Sequence, residues 1–155
     1  MTTTTPPQPQ TDNLAIAALQ DVLIDVAELA SQAKQAHWNV RGATFLSVHR
    51  WLDELAETLR THTDTLAERI ATLGGWPDAC SETLGERTTL ESLPFGRLTT
   101  GQALTAMDAG LERIAAVATS WLDNAAVGRD PMTADLLTGI CRDVQNQQWF
   151  ARAQQ

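Results

Sequence analysis

Four segments of the chain repeat apolar residues at spacings of three and four, the period of a helix with one buried face. The first runs from about Asn13 to Trp38 and sets Leu19, Leu23, Val26, Ala30, Ala33 and His37 on that face. Asp12 or Asn13 is placed to cap it, and Gly42 lies in the break that follows. The second runs from Thr44 or Ser47 to Leu73, carries Leu52, Leu55, Leu59, Leu66, Ile70 and Leu73, and stops at Gly74-Gly75. The third opens on the capping-box pattern Thr99-x-x-Gln102 and continues with Leu104, Met107, Leu111, Ile114, Ala118 and Trp121. Asp130-Pro131, a cap followed by proline at the first helical position, announces the fourth, which passes through Leu136, Ile140 and Val144 to Trp149. Residues 76–98 form a long connection with Pro77 and Pro94 and room for a short helix near Ser81 to Glu86.

Four long helices with one crossover, between the second and the third, predict an all-α fold in the ferritin-like arrangement, a four-helix bundle with a short extra helix in the connection. Residues 1–12 are rich in Thr, Pro and Gln and bury too little apolar area to order themselves, so a flexible N-terminal tail is expected before a bundle domain over 13–155. The 155 residues suffice for one domain with a sizeable core.

Charge narrows the partners. The net charge is −8, with Lys34 the one lysine beside ten arginines. Such a surface attracts cations and repels nucleic acid and anionic membrane. No apolar run is long enough to span a bilayer, so no membrane partner is expected. The opening MTTTTPPQPQTDN lacks the basic and apolar regions of a signal peptide, which points to the cytoplasm. Cys80 and Cys141 form no disulfide framework and read as two idle thiols.

The chemistry concentrates between His37 and Arg69, where all three histidines fall. On the second helix His49, Asp53, Asp64 and Glu68 lie at roughly 0°, 40°, 60° and 100°, one stripe, while His62 falls near about 220° on the far side. Asp53 and Asp64 are nevertheless about 16 Å apart along the axis, too far to share an ion whose ligand bonds are near about 2 Å. The stripe therefore splits into His49/Asp53 and Asp64/Glu68, each at i,i+4 spacing. Packed antiparallel against its own copy, about a two-fold near residues 58 and 59, the helix would set the first cluster of one chain against the second cluster of the other. His37 is placed to join the His49/Asp53 side. A two-fold interface then holds two identical sites, and an isolated chain lacks a complete one. Imidazole mixed with carboxylate suits iron, zinc or manganese. From spacing alone the stripe reads equally well as a solvated acidic face, with Glu57 and Arg60 pairing across the two-fold.

The run AHWNVRGATFLSVHRWLDELAETLRTHTDTLAERIATLGG closely resembles the signature of the Dps proteins, or mini-ferritins, and the likeness extends from about Leu14 through RDVQNQQWF. By that resemblance His37, His49 and Asp53 are iron ligands from one subunit, and Asp64 and Glu68 come from its two-fold partner. It implies a hollow dodecamer that oxidises Fe²⁺, characteristically with hydrogen peroxide, stores the ferric mineral and protects against oxidative stress. Zinc or manganese are alternative occupants. Trp38, and less directly Trp51, resemble the aromatic residues beside such centres. Asp130 and Asp135 resemble positions lining the family's acidic three-fold pores, with helix capping the competing reading for Asp130. The alternative function is a nucleoid-associated protein that compacts DNA. Family members that bind DNA do so through a lysine-rich tail, whereas here the first dozen residues hold neither Lys nor Arg and the terminal ARAQQ only Arg152. Weak or absent DNA binding is therefore expected.

Overall fold

In a computed structural model, which describes residues 10–124 and 127–155, the chain folds into five α-helices among the described residues: α1 (Gln10–Asn39), α2 (Phe45–Thr72), α3 (Ser81–Arg87), α4 (Thr100–Leu122) and α5 (Pro131–Ala153). The four long ones are those read from the periodicity, and α3 is the short helix of the crossover. The expected tail lies outside the described residues as far as residue 9. Helix α1 reaches back to Gln10, so Asp12 and Asn13 stand inside its first turn and not at a cap.

Helix α1 packs chiefly on α2, and α4 on α5. The links within each pair are short, which makes each an antiparallel hairpin. The alanines Ala18, Ala30, Ala33 and Ala36 are buried along α1 beside Leu19, Leu23, Val26 and Leu29, and small side chains there let α2 approach closely. Leu52, Leu55, Leu59, Leu66 and Ile70 complete that seam, with Leu104, Met107, Leu111 and Ile114 entering from α4. On α5 the buried face is Thr133, Leu137, Ile140, Cys141, Val144 and Gln148. Leu136 is therefore only partly buried, and Trp149 stands 61% exposed.

Local signals set the helix ends. Gly74, at φ 81°, occupies the left-handed position after α2, and the amides of Gly74 and Gly75 bond to the carbonyls of Ala71 and Ile70 at 2.9 Å each, the pairing of a Schellman stop. Thr99 and Gln102 form the complete capping box of α4. Asp130 caps α5 through the Thr133 amide, with Pro131 at the helix start.

The crossover is strapped to the outer face of α1. Gln20 exchanges two hydrogen bonds with the backbone of Asp78, and Arg87 reaches Asp21 at 3.1 Å. The carboxylate of Asp25, 1% exposed, accepts from both hydroxyls of Thr88 and Thr89 and from the Thr89 amide. Its burial is thus matched by three donors. A two-residue parallel ladder, β1 (Val40–Arg41) on β2 (Leu98–Thr99), ties the end of the crossover to the end of α1. Periodicity gave no hint of it.

Candidate metal centre

The site begins at the turn between α1 and α2. Gly42 takes φ 147°, a conformation that side-chain-bearing residues rarely adopt, and the Phe45 amide bonds back to its carbonyl at 3.1 Å. The chain thereby reverses within five residues and sets the last turn of α1 against the first turns of α2. His37 and His49 meet there.

The two imidazoles are locked reciprocally. Nδ1 of His37 lies 2.7 Å from the carbonyl oxygen of His49, and Nδ1 of His49 lies 2.8 Å from the carbonyl oxygen of His37. A carbonyl oxygen only accepts, so each Nδ1 carries the hydrogen and donates. In the neutral ring this leaves Nε2 as the lone-pair nitrogen, the form that ligates a metal. The rings stack with centroids 3.7 Å apart and planes inclined by 18°.

One turn further from the link, Nζ of Lys34 on α1 meets Oδ1 of Asp53 on α2 at 2.5 Å. The Lys34 hydrogen bond holds the Asp53 carboxyl below its ordinary value, against the opposing effect of burial, with the Lys34 charge and both imidazoles adding to the lowering. Lys34 was not singled out from the sequence. Its position three residues before His37, on the same face of α1, was the available signal.

Asp64 and Glu68 stand on the same helix, about 16 and about 22 Å beyond Asp53 along its axis, exposed to solvent and with no side-chain ion pair among the described residues. The chain thus presents two separated clusters: His37, His49 and Asp53 at one end of the stripe, Asp64 and Glu68 at the other. Among the described residues, no three His, Cys, Asp or Glu side chains of one chain converge on a common point. Between the clusters Arg60 bonds Glu57 at 2.6 Å within the helix.

The remaining candidates separate. Trp38, beside His37, is 59% exposed. Trp51 is buried, and its indole N–H donates to Gln147 Oε1 on α5 at 2.9 Å, which makes it a packing residue of the bundle. His62 lies off the stripe, partly buried, with Nε2 at ion-pair distance (3.2 Å) from Asp143 but without hydrogen-bond geometry. Burial pulls its imidazole below the usual range, and Asp143 opposes that only in part. Asp130 is engaged: both its oxygens accept from Arg69 at 2.9 Å, and its capping of Thr133 completes the contact between α2 and α5. Asp135 is exposed.

Known proteins share the fold of this chain. The ferritin-like domain family matches residues 16–155. The DNA protection during starvation protein of Agrobacterium fabrum is 33% identical over 138 residues, covering 89% of this chain and 85% of that protein. A Dps of Deinococcus radiodurans superposes with a TM-score of 0.89 at 28% identity, covering 94% of this chain and 87% of the other. The Dps of Microbacterium arborescens, solved in a high-iron form, gives 0.88 at 28% identity, covering 94% and 95%. With a family match over nearly its whole length and Dps proteins among both its relatives and its structural neighbours, the chain belongs to the ferritin-like family as a Dps protein.

Proposed function

We propose that the protein oxidises and stores iron at sites shared between two subunits, and that the carrying observation is the reciprocal lock of His37 and His49. Two stacked imidazoles with Nδ1 committed to backbone carbonyls each leave the Nε2 lone pair for a ligand, with the Asp53 carboxylate one turn away. That is half of a coordination shell for Fe²⁺. Asp64 and Glu68 of a two-fold-related subunit supply the other half. The imidazoles give affinity for the ferrous ion on entry, and the carboxylates favour the higher-charged ferric product. Zinc or manganese fits the same donors.

Iron is the substrate here. In the balanced step two Fe²⁺ and one hydrogen peroxide, with two protons, give two Fe³⁺ and two waters. Paired electron delivery cleaves the O–O bond without releasing a hydroxyl radical. Trp38, exposed beside His37, is placed to intercept stray oxidising equivalents. The ferric product is stored inside a hollow dodecamer of two-fold dimers. Asp135, exposed near the start of α5, lines an acidic entry that concentrates cations. Asp130 is left out of that role because Arg69 and Thr133 occupy its oxygens. Relatives are named for DNA protection during starvation; for this chain, protection follows from removing Fe²⁺ and peroxide, since its surface is acidic and its first dozen residues carry no Lys or Arg. A cytoplasmic location suits that role, and no described helix is long and apolar enough to cross a membrane.

Complementation tests the shared site. Subunits with His37→Ala/His49→Ala and subunits with Asp64→Ala/Glu68→Ala are each expected to be inactive. Dissociated, mixed and reassembled, they regain ferroxidation, because each mixed dimer holds one intact site. No recovery in reassembled mixtures would place the two clusters in separate roles.

A further inference from the structure

A single Nδ1–H bond fixes one point of an imidazole and leaves the ring plane free to swing about it. In this protein the planes are set by a column of stacked groups. His37 lies on His49, and Phe45 lies on His49 as well, with centroids 4.8 Å apart and planes inclined by 29°. Two near-parallel rings cannot share one face, so Phe45 covers the face of His49 that His37 leaves open. The guanidinium of Arg41 sits 5.8 Å from the Phe45 centroid, within cation–π range. Arg41 is itself anchored by the carbonyls of Trp38 and Val40 at 3.2 and 2.6 Å. The column therefore starts from backbone at the end of α1 and returns to His37, still on α1.

The spacing explains how the sequence builds it. Phe45 opens α2 four residues before His49, and residues at i and i+4 on a helix face meet. Phe45 is half-buried and carries no metal-binding atom.

We propose that Phe45 is a positioning residue for the metal site: by closing the outer face of His49 it sets the plane of both imidazoles, and so the direction of both Nε2 lone pairs toward a divalent transition-metal ion. This rests on the reading of His37 and His49 as ligands. Outer groups that orient a ligating histidine typically govern metal affinity by about 10- to 100-fold. Most such groups are hydrogen-bond acceptors. Here backbone carbonyls fill that role, and the aromatic face supplies the remaining constraint.

The test uses Co²⁺ as probe, added anaerobically to the assembled protein, with the visible ligand-field band and the binding isotherm as readouts. Phe45→Tyr keeps the ring face and is expected to bind as the parent does. Phe45→Met keeps apolar bulk without a ring and is expected to weaken Co²⁺ binding by about tenfold and to shift or broaden the band, with assembly and helix content unchanged. Phe45→Leu serves as a second ring-free variant where Met disturbs assembly. Parent-like affinity and band in the ring-free variants, or an equal loss in Phe45→Tyr, would overturn the role of Phe45. His37→Ala/His49→Ala protein separates the two levels. If that variant keeps the parent's Co²⁺ affinity and band, the ligand assignment fails; if it loses both while ring-free variants do not, only the role of Phe45 fails.

Discussion

Nζ of Lys34 lies 2.5 Å from Oδ1 of Asp53, one turn along from the stacked pair of His37 and His49. The one lysine of the chain thus occupies the carboxylate that the proposed site needs. An ammonium there competes with an incoming cation for the same oxygen and repels it. Lys34→Met is expected to tighten Zn²⁺ binding several-fold in calorimetry on the assembled protein. Unchanged or weaker binding would show that Asp53 contributes through its pairing with Lys34 and not as a free donor.

The turn that brings the histidines together depends on Gly42. A β-carbon at this position would stand 3.2 Å from Thr100 Oγ1, at a φ of 147° that favours glycine. Gly42→Ala is expected to cost about 1 kcal/mol or more of stability, seen as a lowered thermal midpoint. Because the same turn aligns the α1 and α2 ends, the variant should also bind Co²⁺ more weakly than the parent. A midpoint and isotherm matching the parent would mean that the turn relaxes without strain.

Acid should weaken the contact between α2 and α5. Burial pushes the Asp130 carboxyl up, but the Thr133 hydroxyl, the Arg69 guanidinium and the Thr133 amide outweigh it and leave the group below its ordinary value of 3.8. A carboxyl depressed on folding contributes stability that is fully present above the unfolded value and is lost as pH falls through the folded one. Asp130→Asn keeps a capping side chain but loses the ion pair. The parent should melt higher than the variant at about pH 6, with the gap closing below roughly pH 4. A gap that persists in acid would assign the stabilisation to the cap alone.

Direct DNA binding should be weak. Non-specific affinity follows the number of phosphates neutralised, and a chain of net charge −8 with no Lys or Arg in its first dozen residues offers few cations. A mobility-shift assay on metal-free assembled protein should show no complex at about 150 mM salt. A clear shift there would contradict this reading and favour the DNA-compacting alternative.

The helices were legible because their signals are local. The three-and-four spacing of Leu52, Leu55, Leu59, Leu66 and Ile70, the Thr99/Gln102 box, Asp130-Pro131 and Gly74-Gly75 each act within a turn or two of chain. The β1–β2 ladder was not, because Val40 and Leu98 pair across a crossover whose path no local pattern dictates. Asp25 was equally silent: its partners Thr88 and Thr89 lie more than sixty residues away. Within the site, spacing set His49 and Asp53 on one face and His62 on another; in the structure the first two meet α1 and His62 meets Asp143 on α5. The reciprocal backbone bonds and the Lys34 partner of Asp53 both cross between α1 and α2. They required the turn geometry at Gly42, which a wheel drawn on a single helix does not contain.

The most direct measurement adds Fe²⁺ anaerobically to the assembled protein, follows with substoichiometric hydrogen peroxide, and records ferric absorbance, in the parent and in His37→Ala/His49→Ala protein of verified assembly. Fast oxidation of roughly two Fe²⁺ per peroxide in the parent, absent in the variant, is the expected result. Equal oxidation in both would contradict an interfacial ferroxidase built on the locked imidazoles.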